Sequence, residues 1–435
     1  LNTSSSTAFP GLTDLTVLMS GAAGQTVTAA KTTAVTVNNT TDQTVTLVGG
    51  GNTVNLTTGA AAVTVGKLTA DTIAATDANA YTSVVVKNSG NSAIKVADNS
   101  GASAAIGSTL TDVTIKSSGG AVTLEGKGIV NVIADGSSGA ITLKNNNTAA
   151  HTLNVTLKGS SSTVDDNSNY ATSATINSAA GATAIATNST TLAGTKLASL
   201  ALTGDKALTL TSTLTKLATV TIAGAGGVST DLSGDGATTT AGYLTSVDTT
   251  GSTAAASTAN GTIANAITIN AGTQYIGGAG VDNVTVSTAA NTASIALGAG
   301  NDSVTIAALS ASTSGTIDGG DGIDTLKMTP TLAATIASAT TNGKLSNFER
   351  LGLVDETFTS NTDVSKTVDL GYLSAVNSYV QVGATAITGT KAKTTTAGDN
   401  PLALTLNINN LATGGTVEFT GDVTSTNAGD GGTAT

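Results

Sequence analysis

The chain has 435 residues, of which only 10% are charged and 2% aromatic, and it contains neither cysteine nor tryptophan. Without cysteine, disulfides, thiolate zinc sites and a cysteine nucleophile are excluded. The chain has 17 basic and 28 acidic residues, a formal charge of -11, and it has no basic patch that would bind nucleic acid. It also lacks a run of about 18 apolar residues, which a membrane-spanning helix would need. Small residues dominate, which favours thin stacked coils over a compact core of large side chains.

Short alternating segments fill the chain between residues 24 and 159. Typical examples are TVTLV, AVTVG, DVTIK and AVTLE, in which apolar residues alternate with Thr or another polar residue. Bounded by Gly, Asn, Asp or Ser, such segments predict β-strands joined by tight turns. Their first apolar positions recur about every 9.5 residues, a period typical of a solenoid. These positions are Val27, Val35, Val45, Val54, Val63, Ile73, Val84, Ile94, Val113, Val122, Val132 and Ile141. We therefore predict an all-β fold, a right-handed parallel β-solenoid of the β-helix or β-roll type.

The number of strands in each coil should follow from the spacing of the repeats. Two steps give a coil of about 19 residues, and three give one of about 28. A leucine-led pattern, L-x-x-[LV] ending in Gly, occurs at Leu12, Leu110, Leu197, Leu217 and Leu244. Leu197 and Leu217 lie 20 residues apart, which favours two strands, whereas Leu217 and Leu244 lie 27 apart, which favours three. The spacing leaves both cross-sections open.

Three glycine-rich turns occur between Ile276 and Met328. They read IGGAGVDNVTV, ALGAGNDSVTI and TIDGGDGIDTLKM, and each has an Asp followed by a short apolar strand. The pattern G-G-x-G-x-D-x-U-x is a calcium-binding β-helix repeat, although the second copy has Leu297 in place of the leading Gly. Asp282, Asp302 and Asp324 are separated by 20 and 22 residues. One coil per step would stack their carboxylates on one edge of the solenoid.

Stacked carboxylates need a counter-ion. Adjacent parallel strands lie about 4.8 Å apart, and at an effective dielectric near 20, unit charges about 5 Å apart repel by about 3 kcal/mol. Calcium takes six to eight oxygen ligands with loose geometry, and glycine turns with positive φ can expose main-chain carbonyls to it. We therefore predict bound Ca²⁺. The predicted site consists of Gly278, Gly280, Asp282, Gly298, Gly300, Asp302, Gly320, Asp321, Gly322 and Asp324.

The sequence contains no catalytic constellation. His151 is the only histidine, so a histidine metal cluster is excluded, and no nucleophile motif accompanies it for a Ser-His-Asp triad. Asp165 and Asp166 could mimic the paired carboxylates of a glycosidase, but no aromatic sugar-binding surface accompanies them. We therefore predict that the chain is not an enzyme.

The glycine turns and the strands around them resemble one known family. GGAGVDNVTV, LGAGNDSVTI and GGDGIDTLKM, followed by SNFERLGL, are similar to segments of RTX-type bacterial surface-layer (S-layer) proteins of the Caulobacter and Campylobacter kind. The resemblance implies type I secretion, folding outside the cell in calcium, and self-assembly into a two-dimensional lattice on the bacterial cell surface. It also implies an anchor to lipopolysaccharide, which we expect in a domain missing from this chain. The start at Leu1, without Met, likewise predicts a part of a longer protein.

The predicted function is therefore structural. One alternative is a type I secreted RTX adhesin segment, which would be a binding module. A less favoured one is an extracellular β-helix enzyme, which would need a groove of clustered charges. The predicted divisions are solenoid repeats over 1–160, a continued solenoid with leucine-led repeats over 161–275, calcium-binding turns over 276–328, and a β-rich subdomain over 329–435 with a possible short helix at 331–341.

Overall fold

A computed structural model describes most of the chain. The described residues are 2–3, 12–68, 71, 73–74, 77–101, 106–144, 149–166, 170–181, 187–236, 244–257, 261–287, 290–310, 314–336, 343–360, 363–373, 378–383, 386–391, 404–420 and 422–427. They belong to two compact units: unit 1 comprises Leu1–Tyr243 with Ala256–Ile263, and unit 2 comprises Leu244–Ala255 with Ala264–Thr435. The four-part division made from the sequence stays a prediction.

The described part of unit 1 is built of short β-strands. In chain order they are β1 (Asn2–Thr3), β2 (Asp14–Met19), β3 (Gln25–Ala29), β4 (Ala34–Asn39), β5 (Val45–Gly49), β6 (Gly51–Thr58), β7 (Val63–Val65), β8 (Ala80–Asn88), β9 (Ile94–Ala97), β10 (Asp112–Lys116), β11 (Val122–Glu125), β12 (Asn131–Asp135), β13 (Ile141–Leu143), β14 (His151–Lys158), β15 (Val164–Asp166), β16 (Ala171–Ala179), β17 (Thr187–Gly194), β18 (Ser199–Gly204), β19 (Ala207–Leu214), β20 (Thr219–Gly224) and β21 (Val228–Asp231).

From β1 to β19, each strand of unit 1 pairs in parallel with the strand two further along the chain. The odd-numbered strands from β1 to β21 form one sheet. The even-numbered strands from β2 to β20 form the other. Because the chain passes through one strand of each sheet before it returns, each coil has two strands. The predicted parallel β-solenoid is thus confirmed, and unit 1 has the two-strand cross-section.

The core between the two sheets consists of side-chain columns that run from coil to coil. Alternation along a strand places every second residue inside, and the parallel register then stacks equivalent residues. One column of the even-numbered sheet is at most 2% exposed at every position. Its members are Val35, Val54, Val84, Val113, Val132, Val155, Ile176, Leu202 and Ile222. Since β-branched side chains pack well on a pleated surface, this core needs few aromatic residues.

A conservative change in such a column should have a measurable cost. Ile115 on β10 is fully buried, whereas its neighbour Thr114 is half-buried. We expect Ile115→Val to lower the free energy of unfolding by about 0.5–1.5 kcal/mol, because it removes a methylene from a close-packed core. Urea denaturation followed by circular dichroism measures this loss. The control Thr114→Ser should stay within about 0.5 kcal/mol of the parent, and an equal loss in both variants would contradict the core assignment.

One segment of unit 1 departs from the predicted strand period. TIAAT, which contains Ile73, is predicted as a strand, but its described residues lie in a loop. Ile73 packs there against a small apolar cluster formed by Leu68, Ala97 and Ile106. The prediction is wrong at this point because Ile73 is sheltered from solvent by loop residues and by Ala97 at the end of β9, so it needs no place in the sheet.

The leucine-led pattern marks a corner of the coil. Leu110, Leu197 and Leu217 are at most 3% exposed, and each lies two residues before an even-numbered strand, namely β10, β18 or β20. The leucine therefore fills the core where the chain enters that sheet.

Unit 2 contains the glycine turns. Its elements in chain order are β22 (Ser246–Ser252), β23 (Asn265–Ile269), β24 (Gln274–Ile276), β25 (Asp282–Val286), β26 (Ile295–Ala296), β27 (Ala299–Gly300), β28 (Ser303–Thr305), β29 (Ile317–Asp318), β30 (Asp321–Gly322), β31 (Thr325–Met328), α1 (Pro330–Ile336), β32 (Leu345–Ser346), β33 (Arg350–Leu353), β34 (Glu356–Ser360), β35 (Val364–Asp369), a 3₁₀ turn (Leu370–Tyr372), β36 (Tyr379–Val382), β37 (Ala386–Lys391), β38 (Leu404–Asn409), β39 (Thr416–Phe419) and β40 (Asp422–Asn427).

Unit 2 changes from two strands per coil to three. Up to β33 its main strands form two parallel sheets, one of β23, β25, β28, β31 and β33 and one of β22, β24, β26, β29 and β32. The first continues through β36 and β39, beside two new ladders of β34, β37 and β40 and of β35 and β38. Register partners are 22 residues apart for Val304 and Leu326 but 29 apart for Leu351 and Val380. The longer coil has room for a third strand, so both cross-sections that the spacing allowed are present.

The predicted helix is confirmed in part. The helix α1 covers Pro330–Ile336, and residues 337–341 lie outside the described residues. Proline suits the first turn because its missing N–H would have no partner there, and Thr331 N donates to Glu356 Oε2 at 2.9 Å. Among the described residues, no helix has the length and apolar character needed to cross a membrane.

Candidate metal centre

The three glycine turns of unit 2 lie one above the other. They follow β24, β26 and β29, which pair in parallel, and the short strands β27 and β30 inside the second and third turns also pair. Backbone hydrogen bonds connect the turns: Ala299 N donates to Gly278 O at 2.7 Å, and Asp321 N donates to Gly298 O at 2.8 Å. The turns therefore form the stack that their spacing predicts.

Glycine is required in this stack because successive backbones nearly touch. Gly298 and Gly320 have φ of 95° and 94°, in the left-handed region that glycine favours. A Cβ on Gly298 would lie 2.3 Å from Gly278 O, and one on Gly320 would lie 1.8 Å from Gly298 O. Gly300 and Gly322 also have positive φ. These four glycines of the second and third turns therefore have the positive φ that was predicted for them, whereas their role in calcium binding stays a prediction.

The first turn uses its glycines differently. Neither Gly278 nor Gly280 has a positive φ, so the expectation of a left-handed backbone is wrong for this turn. A Cβ on Gly278 would lie 2.6 Å from Thr249 O, and one on Gly280 would lie 2.8 Å from Ala254 N. These two glycines are needed because another segment of unit 2 passes close to them.

Alanine in the stack should destabilise unit 2. We expect Gly320→Ala to lower the free energy of unfolding by about 1–3 kcal/mol or more. The new Cβ would collide with Gly298 O, and alanine is strained at the left-handed φ of this position. The control is Gly272→Ala, since a Cβ there would approach nothing closer than Asn270 Oδ1 at 3.5 Å. Calorimetric melting of both variants measures the difference. A Gly272→Ala loss as large as that of Gly320→Ala would show that the stack does not need glycine for steric reasons.

Asp282, Asp302 and Asp324 occupy one position in consecutive coils. They open or directly precede β25, β28 and β31, and those strands pair in register. Each aspartate is at most 1% exposed. The structure therefore brings the three predicted carboxylates together and also buries them, which their sequence pattern alone did not indicate. We call this row of side chains the acidic column.

Two carboxylates of the acidic column, those of Asp302 and Asp324, accept a hydrogen bond from the backbone of the preceding coil. Asp302 Oδ1 accepts from Asp282 N at 2.8 Å, and Asp324 Oδ1 accepts from Asp302 N at 2.7 Å. Glu349 continues the series, because its Oε2 accepts from Asp324 N at 2.8 Å. One oxygen of each of these side chains is thus used to hold the coils together.

The first carboxylate of the column has different partners. Asp282 Oδ1 accepts from Asn265 Nδ2 at 2.7 Å, and Asp282 Oδ2 accepts from Thr249 Oγ1 at 2.8 Å. Asn265 is the register partner of Asp282 in the preceding coil. Both oxygens of Asp282 are therefore satisfied by neutral side chains.

Two oxygens of the acidic column have no hydrogen-bond partner among the described residues. They are Oδ2 of Asp302 and Oδ2 of Asp324, and both are buried. The hydroxyl of Tyr275, which is 1% exposed, also makes no hydrogen bond within the described part of the chain. A buried charge without a partner is strongly unfavourable. Protonation or a bound cation would remove this penalty.

Burial raises the pKa of every aspartate in the column. It raises the pKa of Asp302 to about 7, and the charges of Asp282 and Asp324 add to the effect. It raises the pKa of Asp324 to about 6, with a further contribution from nearby acidic residues. The pKa of Asp282 is also raised by burial, although the hydrogen bonds to its oxygens oppose the rise. A cation that binds these carboxylates would therefore compete with protons.

The donor set limits which cation could bind. Among the described residues, no three His, Cys, Asp or Glu side chains converge as metal ligands. Asp321, predicted as an additional ligand, lies on the exposed strand β30 and is not part of the acidic column. A cation in the stack would take at most two carboxylates from this arrangement and complete its shell with main-chain oxygens. An all-oxygen set of this kind suits calcium better than zinc or copper.

Asn265, Thr249 and Glu349 belong to the site but were not predicted. Asn265 and Glu349 could have been found from the sequence pattern that begins at each residue of the column. In DNVTV, which begins at Asp282, the third and fifth residues are apolar, and the same is true of NAITI at Asn265 and of ERLGL at Glu349. The glycines that marked the site are absent from these two copies. Thr249 has no such signal, because it reaches Asp282 from 33 residues earlier in the chain.

The other candidate residues lie on strands of unit 1. His151 opens β14, and its Nδ1 is 3.1 Å from Ala149 O. Asp165 lies on β15 with Asp166, whose side chain is outside the described part of the structure.

Comparisons of the chain with protein-family models, with curated proteins and with solved structures gave no match. The functional proposal therefore rests on the residues of the chain and their geometry.

Proposed function

We propose that the chain is a structural protein, a calcium-stabilised β-solenoid that assembles with its own copies into a two-dimensional lattice on a bacterial cell surface. The observation that carries the calcium part is the pair of buried, unpartnered oxygens on Asp302 and Asp324. The lattice part is supported by the resemblance of the three turns to RTX-type surface-layer proteins. On this proposal the chain is not an enzyme, and lipopolysaccharide is bound by a domain outside it.

The proposed role of calcium is to make the coils of unit 2 rigid. When bound, the ion supplies the positive charge that the stacked carboxylates lack. Asp302 and Asp324 would hold it, and each keeps one oxygen on the backbone of the preceding coil. The ion and the hydrogen-bond ladder would therefore act on the same coils. If unit 2 is rigid only when calcium is bound, assembly of the chains into a lattice would also depend on calcium.

Electron microscopy of the purified chain tests the lattice directly. The protein is prepared in chelator, divided, and dialysed against calcium, against magnesium or against chelator. We expect ordered sheets in calcium only, because magnesium is smaller and demands a stricter octahedral shell. Sheets that persist unchanged in chelator would refute the calcium dependence.

Light scattering on the same samples distinguishes the alternative function. Calcium-loaded protein that stays monomeric at every concentration and forms no sheets would reject the lattice and favour the adhesin segment. Growth of large particles on addition of calcium supports the lattice.

A further inference from the structure

We infer that the three-strand coils of unit 2 contain a binding site for a small apolar carboxylate, with Lys366 as the partner of the carboxylate group. The site is a cavity of about 210 Å³, to which every strand from β34 to β39 contributes a side chain. This inference goes beyond the proposed function, because it concerns a different part of unit 2 and a different class of ligand.

The cavity is present because the three-strand coils are filled less completely than the two-strand coils. Leu404 and Leu406 on β38 face inward, since their neighbours Thr405 and Asn407 are exposed, yet both leucines are only half-buried. In the buried column of unit 1, by contrast, every inward side chain is at most 2% exposed. An apolar cavity of about 150 Å³ is already large enough to bind benzene. The space in unit 2 can therefore take a small hydrocarbon body.

Two phenylalanines line the cavity, in a chain that has only four. Phe358 on β34 is half-buried, whereas Phe419 on β39 is 64% exposed. Because Phe419 belongs to the lining and also contacts solvent, the cavity reaches the surface, where a ligand can enter. Small-molecule sites are generally concave and apolar, with a few polar groups that fix the orientation of the ligand.

Lys366 is the one charged side chain among the described residues that line this cavity. It occupies an inward position of β35, because Ser365 and Thr367 on either side are exposed while Val368 is buried. Its Nζ lies 5.7 Å from the centre of the Phe358 ring, and no acidic side chain in the described part of the chain forms an ion pair with it. Placing a charge beside an apolar space is unfavourable unless an opposite charge accompanies it. An anion that enters the cavity would supply that charge.

These features select a ligand with one negative charge and one apolar body. The ammonium group of Lys366 can donate charge-assisted hydrogen bonds to a carboxylate, and it would repel a cation. The walls formed by Ile387, Leu404 and Leu406 offer no partner to further polar groups, so a sugar or a nucleotide would lose its hydrogen bonds to water without replacement. Octanoate has the required charge and an apolar chain, and it serves as the probe.

Titration calorimetry of the full chain with sodium octanoate, below its micelle concentration, tests the inference. We expect one octanoate to bind per chain. Octan-1-ol and octylammonium have the same hydrocarbon chain without the negative charge, so each should bind at least tenfold more weakly. This comparison uses the parent protein and tests the role of charge without any substitution.

Lys366→Met tests the assigned partner, because methionine keeps an unbranched side chain and removes the charge. The Kd for octanoate should rise at least tenfold, and the Kd for octan-1-ol should stay within threefold. The matched control Lys95→Met removes an exposed lysine of β9 in unit 1 and should change neither Kd by more than threefold. Phe419→Ala removes part of the apolar wall and should weaken the binding of both ligands.

Melting temperatures give a second measurement on the same variants. Octanoate should raise the melting temperature of the parent, because a ligand that binds only the folded state stabilises it. In Lys366→Met this rise should be absent. Without ligand, Lys366→Met should melt at the same temperature as the parent or higher, because a neutral side chain is buried at a lower cost than a charged one.

Three results would overturn the inference. A folded parent chain that binds no octanoate has no such site. Equal affinity for octanoate and octan-1-ol, or an unchanged Kd for octanoate in Lys366→Met, would remove Lys366 as the partner of the carboxylate. None of these results affects the proposed calcium-dependent lattice, which is tested by microscopy in calcium and in chelator.

Discussion

Asp302→Asn is expected to lower the melting temperature in calcium and to leave it equal or higher in chelator. In calcium, the variant loses the stabilisation that comes from binding to the folded state, about 2.7 kcal/mol at a ligand concentration 100 times Kd and about 4.1 kcal/mol at 1,000 times Kd. In chelator, the amide oxygen of the asparagine can still accept a hydrogen bond from Asp282 N. The variant also lacks the buried carboxyl group of Asp302, whose ionisation is made unfavourable by burial. The sign of the effect should therefore reverse with calcium. Differential scanning calorimetry at neutral pH, with excess calcium and with chelator, measures it.

Asp165→Asn is the matched control for this reversal. Asp165 is a half-buried aspartate on β15 in unit 1, so the substitution makes the same chemical change away from the glycine turns. Its effect should be the same in calcium and in chelator, within about 0.5 kcal/mol. Equal shifts for Asp302→Asn and Asp165→Asn in calcium would remove Asp302 from the set of ligands.

The stability of unit 2 in chelator is expected to fall as the pH rises from about 4 to about 8. The pKa of Asp302 is about 7 and that of Asp324 about 6 in the folded chain, against an ordinary value of 3.8. Between these values the folded state binds more protons than the unfolded state, so the free energy of unfolding decreases with rising pH. The stabilisation from protonation is complete below the ordinary pKa and is lost as the pH passes through 6 and then 7. Calcium binds the deprotonated carboxylates, so saturating calcium should flatten or reverse the slope.

Urea denaturation at a series of pH values, with and without calcium, checks this dependence. The double variant Asp302→Asn with Asp324→Asn removes the two titrating groups, and its stability in chelator should lose most of the slope between pH 4 and pH 8. A slope that persists unchanged in the double variant would assign the pH dependence to other groups.

Several parts of the fold could be predicted because they follow from local regularity. Alternation of apolar and polar residues sets which side chains face inward, and a nearly constant step keeps strands in parallel register, as the column from Val35 to Ile222 shows. The same reasoning placed Asp282, Asp302 and Asp324 in consecutive coils. It failed at Ile73, which lies in a loop and packs against Leu68, Ile106 and the strand residue Ala97 in place of strand pairing. It also missed Glu349, because the sequence before Glu349 lacks the glycine-rich pattern by which Asp282, Asp302 and Asp324 were identified.

The sequence by itself determined that this protein is a parallel β-solenoid and that its glycine turns stack three aspartates, since both depend only on residue type and spacing along the chain. The tertiary structure alone decided how many strands each coil has, that the aspartates are buried, and which of their oxygens are free. Those properties depend on partners that stacking brings together. Thr249 and Asn265 reach Asp282 from 33 and 17 residues away and satisfy it, whereas no described residue does the same for Oδ2 of Asp302 or Asp324.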